Sequence, residues 1–141
     1  MKAVLDSSAA LHAVLPEAHQ AKALKLLAEY RNGLHDLHAP DVYPLETLNA
    51  ISKAERQKRI AYGTGFGLWK TLMGFAPTFH QHAPLLPAAY HLSVATRTAV
   101  YDMLYFHLAE LEACDFITAD DRLWNTLKGQ YPFVIHLKDL P

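Results

Sequence analysis

The chain opens on Lys2-Ala3-Val4-Leu5-Asp6, a short apolar run closed by an acid, which predicts a brief buried strand. Ser7 or Ser8 is placed to cap a helix over residues 9–15, which Pro16 stops. Residues 17–31 carry Ala21, Leu24, Leu27 and Ala28 on one helical face with lysines opposite, and Asn32-Gly33 ends that helix. His38-Ala39-Pro40 is a short strand candidate. Asp41 can cap the next helix, whose first turn tolerates Pro44 and which carries Glu46, Asn49, Lys53 and Arg56. Residues 60–75 place Tyr62, Phe66, Trp69 and Met73 at helical spacing. The two segments together predict a helical hairpin projecting from a sheet.

Further on, residues 78–82 read as a strand, and a helix follows Pro84 and Pro87 through Thr96. Tyr101-Asp102 opens another helix to Ala113. Asp115-Phe116-Ile117-Thr118 is a strand, Asp120 or Asp121 begins a helix to Leu127, and residues 133–137 form a last strand. Short strands alternating with longer helices indicate βαβ units and a parallel sheet. No linker or repeat interrupts them, so residues 1–141 are expected to form one α/β domain.

Composition adds limits. The 141 residues are 51% hydrophobic and 19% charged, the balance of a soluble globular chain, and no apolar run approaches the roughly 18–20 residues that span a bilayer. Asp6 interrupts the N-terminal apolar run, which argues against a signal peptide. The single Cys114, in an apolar helical stretch, reads as a small buried thiol and excludes an internal disulfide. A cytoplasmic location is expected. Net charge is −1, so bulk charge does not announce a nucleic-acid binder; an RNA ligand would need local basic groups and cations.

The chemistry lies in the acids. In an open parallel sheet, ligands bind beyond the carboxyl ends of the strands. Asp6 ends the first strand, Glu46 lies early in the helix after the second, Asp102 starts a helix, and Asp120 follows the Asp115–Thr118 strand. Any one of them could be only a helix cap; four at one edge argue for a pocket. Two carboxylates ~4 Å apart repel by about 4 kcal/mol at an effective dielectric near 20, so such a group needs protons or cations. An all-oxygen donor set without sulfur suits Mg²⁺ or Mn²⁺, ions that activate water and stabilise a leaving oxygen in phosphodiester hydrolysis.

Val4-Leu5-Asp6-Ser7-Ser8, Ala39-Pro40-Asp41 with Glu46-Thr47-Leu48-Asn49, Tyr101-Asp102-Met103-Leu104-Tyr105 and Phe116-Ile117-Thr118-Ala119-Asp120-Asp121-Arg122-Leu123 resemble, in order and spacing, the PIN-domain family, and among it the VapC-type toxins. The resemblance runs from Met1 to about Leu137. It implies a three-layer α/β/α sandwich with a central parallel sheet and a protruding helical hairpin. It further implies metal-dependent RNA cleavage by the toxin of a toxin–antitoxin pair, an antitoxin that blocks the acidic pocket, and a homodimer. Carried over by position, Asp6, Glu46, Asp102 and Asp120 would bind Mg²⁺ or Mn²⁺. Ser7 and Thr118 would orient a water or a carboxylate, and Asn49 would orient Glu46 or the substrate. Asp121 stays open as an outer helper or as the ligand in place of Asp120.

Lys53 and Arg56 extend the helix of Glu46 and are candidates for RNA phosphates; a solvated face with a Glu55–Arg59 pair is the alternative. Gly63-Thr64-Gly65-Phe66-Gly67 follows a helix and lacks a P-loop lysine, so its glycines are expected to allow close helix packing. The pairs His35/His38 and His80/His82 lack a third ligand at zinc spacing and are expected at the surface. The Tyr62, Phe66, Trp69 and Met73 stripe reads as core before partner surface. Two other functions compete with the nuclease: a PIN-like module that binds RNA or protein without cutting, and a phosphatase with Asp6 as nucleophile. The second wants another Asp two residues on, where Ser8 stands.

Overall fold

A strand buried along its whole length must be covered on both faces, because successive side chains point to opposite sides of the sheet. Ala3, Val4 and Leu5 of β1 (Lys2–Leu5) are all fully buried. The computed structural model, which describes residues 1–141, supplies that cover as an α/β/α sandwich. Its sheet contains β1, β2 (Asp36–Pro40), β3 (Thr78–His80), β4 (Asp115–Thr118) and β5 (Val134–His136). Every pairing is parallel and the order is β3-β2-β1-β4-β5. The chain starts at the centre, moves outward to β2 and β3, then returns past β1 to β4 and β5. Between β1 and β4 the direction of winding reverses, and such a switch point opens a crevice at the strands' carboxyl ends.

The helices are α1 (Ser7–Leu11), α2 (Gln20–Arg31), α3 (Tyr43–Arg56), α4 (Gly65–Met73), α5 (Leu86–Thr96), α6 (Val100–Leu111) and α7 (Asp121–Leu127). α6 buries Met103, Leu104, Tyr105, Phe106, Leu108 and Ala109 and packs on β1, β2 and β4, with α5 behind it. That breadth of apolar surface is why it lies across the middle of the sheet. α1 packs on β4 and touches both α2 and α3, while α7 covers β5. Phe116 of β4, fully buried, stacks on Tyr105 with ring centroids 6.4 Å apart.

α3 and α4 form the expected hairpin. Gly65 permits their close approach: a Cβ there would lie 2.7 Å from Glu55 Oε1 and 3.0 Å from an Ile51 methyl. Its N–H donates to that same Glu55 oxygen at 2.8 Å. Trp69 Nε1 donates to the Pro44 carbonyl and the Thr47 hydroxyl, both at 3.2 Å.

Several expectations are corrected. The helix predicted from Ile60 begins at Gly65, because Lys58 and Gly63 adopt positive φ (61° and 83°) and break the run. The helix predicted from Glu17 begins at Gln20. Asp41 does not cap α3; its carboxylate accepts from the His82 backbone N–H and faces the His82 imidazole, which turns the chain and ends β3 at His80. Tyr62 and Phe66 are not core: they are 96% and 63% exposed, and only Trp69 and Met73 are partly buried. His38 is buried rather than at the surface. Its Nδ1 lies 2.8 Å from His80 Nε2, and its Nε2 faces Asp36 Oδ1 at 2.9 Å without hydrogen-bond alignment. Cys114 is only half-buried, and burial pushes its thiol up. No helix is long and apolar enough to cross a membrane.

Candidate active site

The reversal between β1 and β4 sets the first two acids side by side. β1 ends at Leu5, paired with Ile117, and the Asp6 N–H still donates to the Ile117 carbonyl at 2.9 Å. Asp6 is thus the first residue past the ladder, and only 4% exposed. Its Oδ2 accepts from Thr118 Oγ1 at 2.7 Å and from Ser8 Oγ at 2.8 Å. Ser8 and Thr118 lie 3.2 Å apart, and Ser8 also accepts from the Ala119 N–H at 3.0 Å. Ser7, expected beside the acid, reaches Asp6 Oδ1 only at 3.5 Å. Sequence reasoning missed Ser8 in this role; it stands one residue beyond the position that the family likeness marks.

Asp120 follows β4. Its N–H donates to Thr118 Oγ1 at 3.1 Å, and its Oδ1 caps α7 by accepting from Leu123 N–H at 3.0 Å. Asp121, the first residue of α7, points elsewhere: its carboxylate takes the buried His136 Nε2 at 2.8 Å, and it does not line the acidic cleft. Its possible exchange with Asp120 is therefore not what the structure places.

Glu46 comes from the first turn of α3. Tyr105 Oη donates to its Oε1 at 2.7 Å, from one turn beyond Asp102 on α6. Asn49 lines the same cleft but makes no hydrogen bond to Glu46. Tyr105 escaped the sequence reading because it belongs to the apolar face of α6.

Asp6, Glu46, Asp102 and Asp120 line one open cleft of about 610 Å³ together with Ser7, Ser8 and Asn49, and no lysine, arginine or histidine is among its lining residues. Burial pushes the Asp6 carboxyl up, against the Thr118 and Ser8 bonds that pull it down, and Asp120 adds repulsion. Burial also raises Glu46, opposed by the Tyr105 bond and aided by Asp6. Asp102 is pushed up to about 7, first by burial and then by the charges of Asp6, Asp120 and Glu46. Asp6, Glu46 and Asp120 each commit one oxygen to these short bonds, whereas neither Asp102 oxygen is so held. Nowhere in the chain do three histidine, cysteine or acidic side chains close into a ready-made metal cage.

The donor set nonetheless fits a hard divalent ion. Four carboxylates line one cleft that no lysine, arginine or histidine lines, and one or two carboxylates plus water are what Mg²⁺ takes. Lys53 and Arg56 are not among the residues of this cleft; Arg56 donates to Ser52 at 3.4 Å on the outer part of α3.

Comparison with known proteins places the fold among relatives. The chain is 28% identical over 132 residues to VapC ribonuclease Mb0985 of Mycobacterium bovis, covering 94% of this chain and 96% of the relative. It has the same identity and coverage with Ribonuclease VapC9 of Mycobacterium tuberculosis. Among solved structures, that of PAE2754 from Pyrobaculum aerophilum superposes with a TM-score of 0.69 at 21% identity, over 98% of this chain and 93% of that one, and shows the fold. The PIN domain model matches residues 3–127, the span from β1 through α7 that carries all four acids, and the chain belongs to the PIN domain family.

Proposed function

We propose that this chain is a metal-dependent endoribonuclease, the toxin of a toxin–antitoxin pair, that hydrolyses RNA phosphodiester bonds at the cleft of Asp6, Glu46, Asp102 and Asp120. The observation that carries it is the gathering of four carboxylates at the sheet's switch point with no protein cation among them. The names of the relatives, ribonucleases over nearly the whole chain, support the same reading.

Asp6, Glu46, Asp102 and Asp120 would hold Mg²⁺ or Mn²⁺, which when bound supplies positive charge for the phosphate and the leaving oxygen and lowers the pKa of water. The rest falls to the protein. Thr118 and Ser8 fix Asp6, the α7 cap fixes Asp120, and Tyr105 fixes Glu46, which leaves one oxygen of each without a short bond to the protein. Asp102, with neither oxygen held and its carboxyl raised toward neutrality by burial, would give up its proton to a bound cation. No side chain needs to attack phosphorus. Ser7 and Asn49, at the cleft wall, are placed to touch substrate or water.

The same reading includes a cognate antitoxin that covers the cleft, a homodimer and a cytoplasmic location. The deciding experiment incubates purified protein with RNA in Mg²⁺ or in EDTA, beside Asp6→Asn and Asp102→Asn. Cleavage in Mg²⁺ alone, lost in both folded variants, is expected. RNA bound but uncut by the wild type would favour the non-catalytic module, and cleavage by both variants at wild-type rate would remove the carboxylate mechanism. Growth arrest on expressing this chain, relieved by a co-purifying partner, tests the toxin role.

A further inference from the structure

The acidic cleft is well suited to cations and poorly suited to the anion it must receive. RNA phosphates approaching four carboxylates need positive charge nearby, and a net charge of −1 supplies no long-range attraction. Asp102 and Asp120 also line a second cleft, of about 290 Å³, whose wall includes Arg97, Thr98, Arg122 and Thr126. The two clefts are neighbours, with Asp102 and Asp120 in the walls of both.

Arg97 and Arg122 reach this place from different elements. Arg97 is the residue that ends α5, and Arg122 is the second residue of α7. Neither guanidinium is taken up within the chain: the Lys and Arg ion pairs belong to Lys2, Lys25 and Arg59. Arg97 is moreover left-handed, with φ 57° and ψ 42°. That conformation at a helix end is the one glycine fills without strain. The Arg97 side chain makes no hydrogen bond or ion pair within the chain, so its guanidinium is free for a ligand.

We propose that Arg97 and Arg122 form the subsite for the phosphodiester backbone of the RNA strand next to the bond that is cut. The proposal rests on the ribonuclease reading above and adds to it where the strand lies: it leaves the acidic cleft past Asp102 and Asp120, toward α5 and α7. A guanidinium fork matches two phosphate oxygens, and two of them 25 positions apart in sequence can hold one strand without reading its bases. Lys53 and Arg56, which sequence reasoning marked for this role, do not border either cleft.

The test is the salt dependence of RNA binding. A labelled single-stranded RNA is titrated in Mg²⁺ with the full chain carrying Asp6→Asn, with and without Arg97→Gly and Arg122→Gln. Each lost phosphate contact should reduce the slope of log affinity against log salt by roughly 0.7, about 1.4 for the pair. Glycine suits the left-handed backbone at position 97, so Arg97→Gly alone should melt no lower than the parent while binding RNA more weakly. A residue with a merely structural role would move the two together. Mn²⁺ affinity of the Arg97→Gly, Arg122→Gln protein with Asp6 intact should be no weaker than the wild type's, because the change removes positive charge beside Asp102 and Asp120.

If the arginine variant binds RNA with the parent's affinity and salt slope while the wild type cleaves RNA, the subsite is wrong and the nuclease stands. A wild type that neither binds nor cuts RNA removes both.

Discussion

The hydroxyl of Tyr105 donates a 2.7 Å hydrogen bond to Glu46 Oε1, joining α6 to α3 across 59 residues of sequence. Tyr105 is only 1% exposed, so the bond is shielded from water and holds the carboxylate from inside the core. It orients Glu46 without reaching the cleft's lining, as outer partners of metal ligands do. Tyr105→Phe removes one oxygen and keeps the ring stacked on Phe116. Loss of such a partner costs roughly 10–100-fold in metal affinity or activity. Mn²⁺ titration followed by electron paramagnetic resonance should show weaker binding, with the melting temperature little changed. Wild-type Mn²⁺ affinity in this variant would reduce Tyr105 to a packing residue.

Thr118 is fully buried and serves two acids, donating to Asp6 Oδ2 and accepting from the Asp120 N–H. Thr118→Val keeps the shape but leaves both groups short of a partner. An unsatisfied buried polar group costs about 1–3 kcal/mol, more when charged. Urea denaturation should place the variant lower by at least that amount at neutral pH. Ser8→Ala should lose less, because Ser8 is only partly buried and water can replace its bonds to Asp6 and the Ala119 N–H.

Asp120 and Asp121 are neighbours with different tasks. Asp120→Asn keeps a side-chain oxygen for the α7 cap, so it removes charge from the cleft without unwinding the helix. Single-turnover RNA cleavage should vanish in Asp120→Asn and continue near the wild-type rate in Asp121→Asn. The opposite result would exchange the two assignments.

The cleft also sets a pH dependence. Asp102 binds its proton more tightly in the folded chain, with a pKa near 7 against the ordinary 3.8. Between those values the folded state holds more protons than the unfolded one, so stability falls as pH rises. The contribution is fully present below about pH 4 and lost by the time pH has passed 7; Asp6 and Glu46, shifted in the same direction, add to it. Thermal melts in EDTA should therefore decline across that window. Asp102→Asn should flatten the decline, and Mg²⁺ should raise the neutral end most. A metal-free protein whose melting temperature climbs steadily from pH 4 to 7 would contradict this account of the cleft.

Much of this molecule was legible along the chain. Short apolar runs closed by Asp6 and by Thr118-Ala119-Asp120, separated by helical periods, are enough to set parallel strands and to put acids past their ends, because periodicity reports which face of an element is buried. The errors lie where periodicity is silent. Tyr62 and Phe66 continue the helical spacing of Trp69, yet Tyr62 lies before α4 begins at Gly65, and Phe66, within α4, faces solvent. His38 looked like a surface residue and is buried beside His80, since a polar side chain in a central strand can find its partner on the next strand.

By itself, then, the sequence determined the α/β class and marked the four acids that line one cleft, as local pattern requires no knowledge of neighbours. Only the tertiary structure decided that Ser8 rather than Ser7 holds Asp6, that Tyr105 rather than Asn49 holds Glu46, that Asp121 turns to His136, and that Arg97 and Arg122 border the acids where Lys53 and Arg56 do not. A hydrogen bond is made or lost within a few tenths of an ångström. Which of two adjacent side chains meets that limit depends on how distant elements pack, and spacing along one element does not contain it.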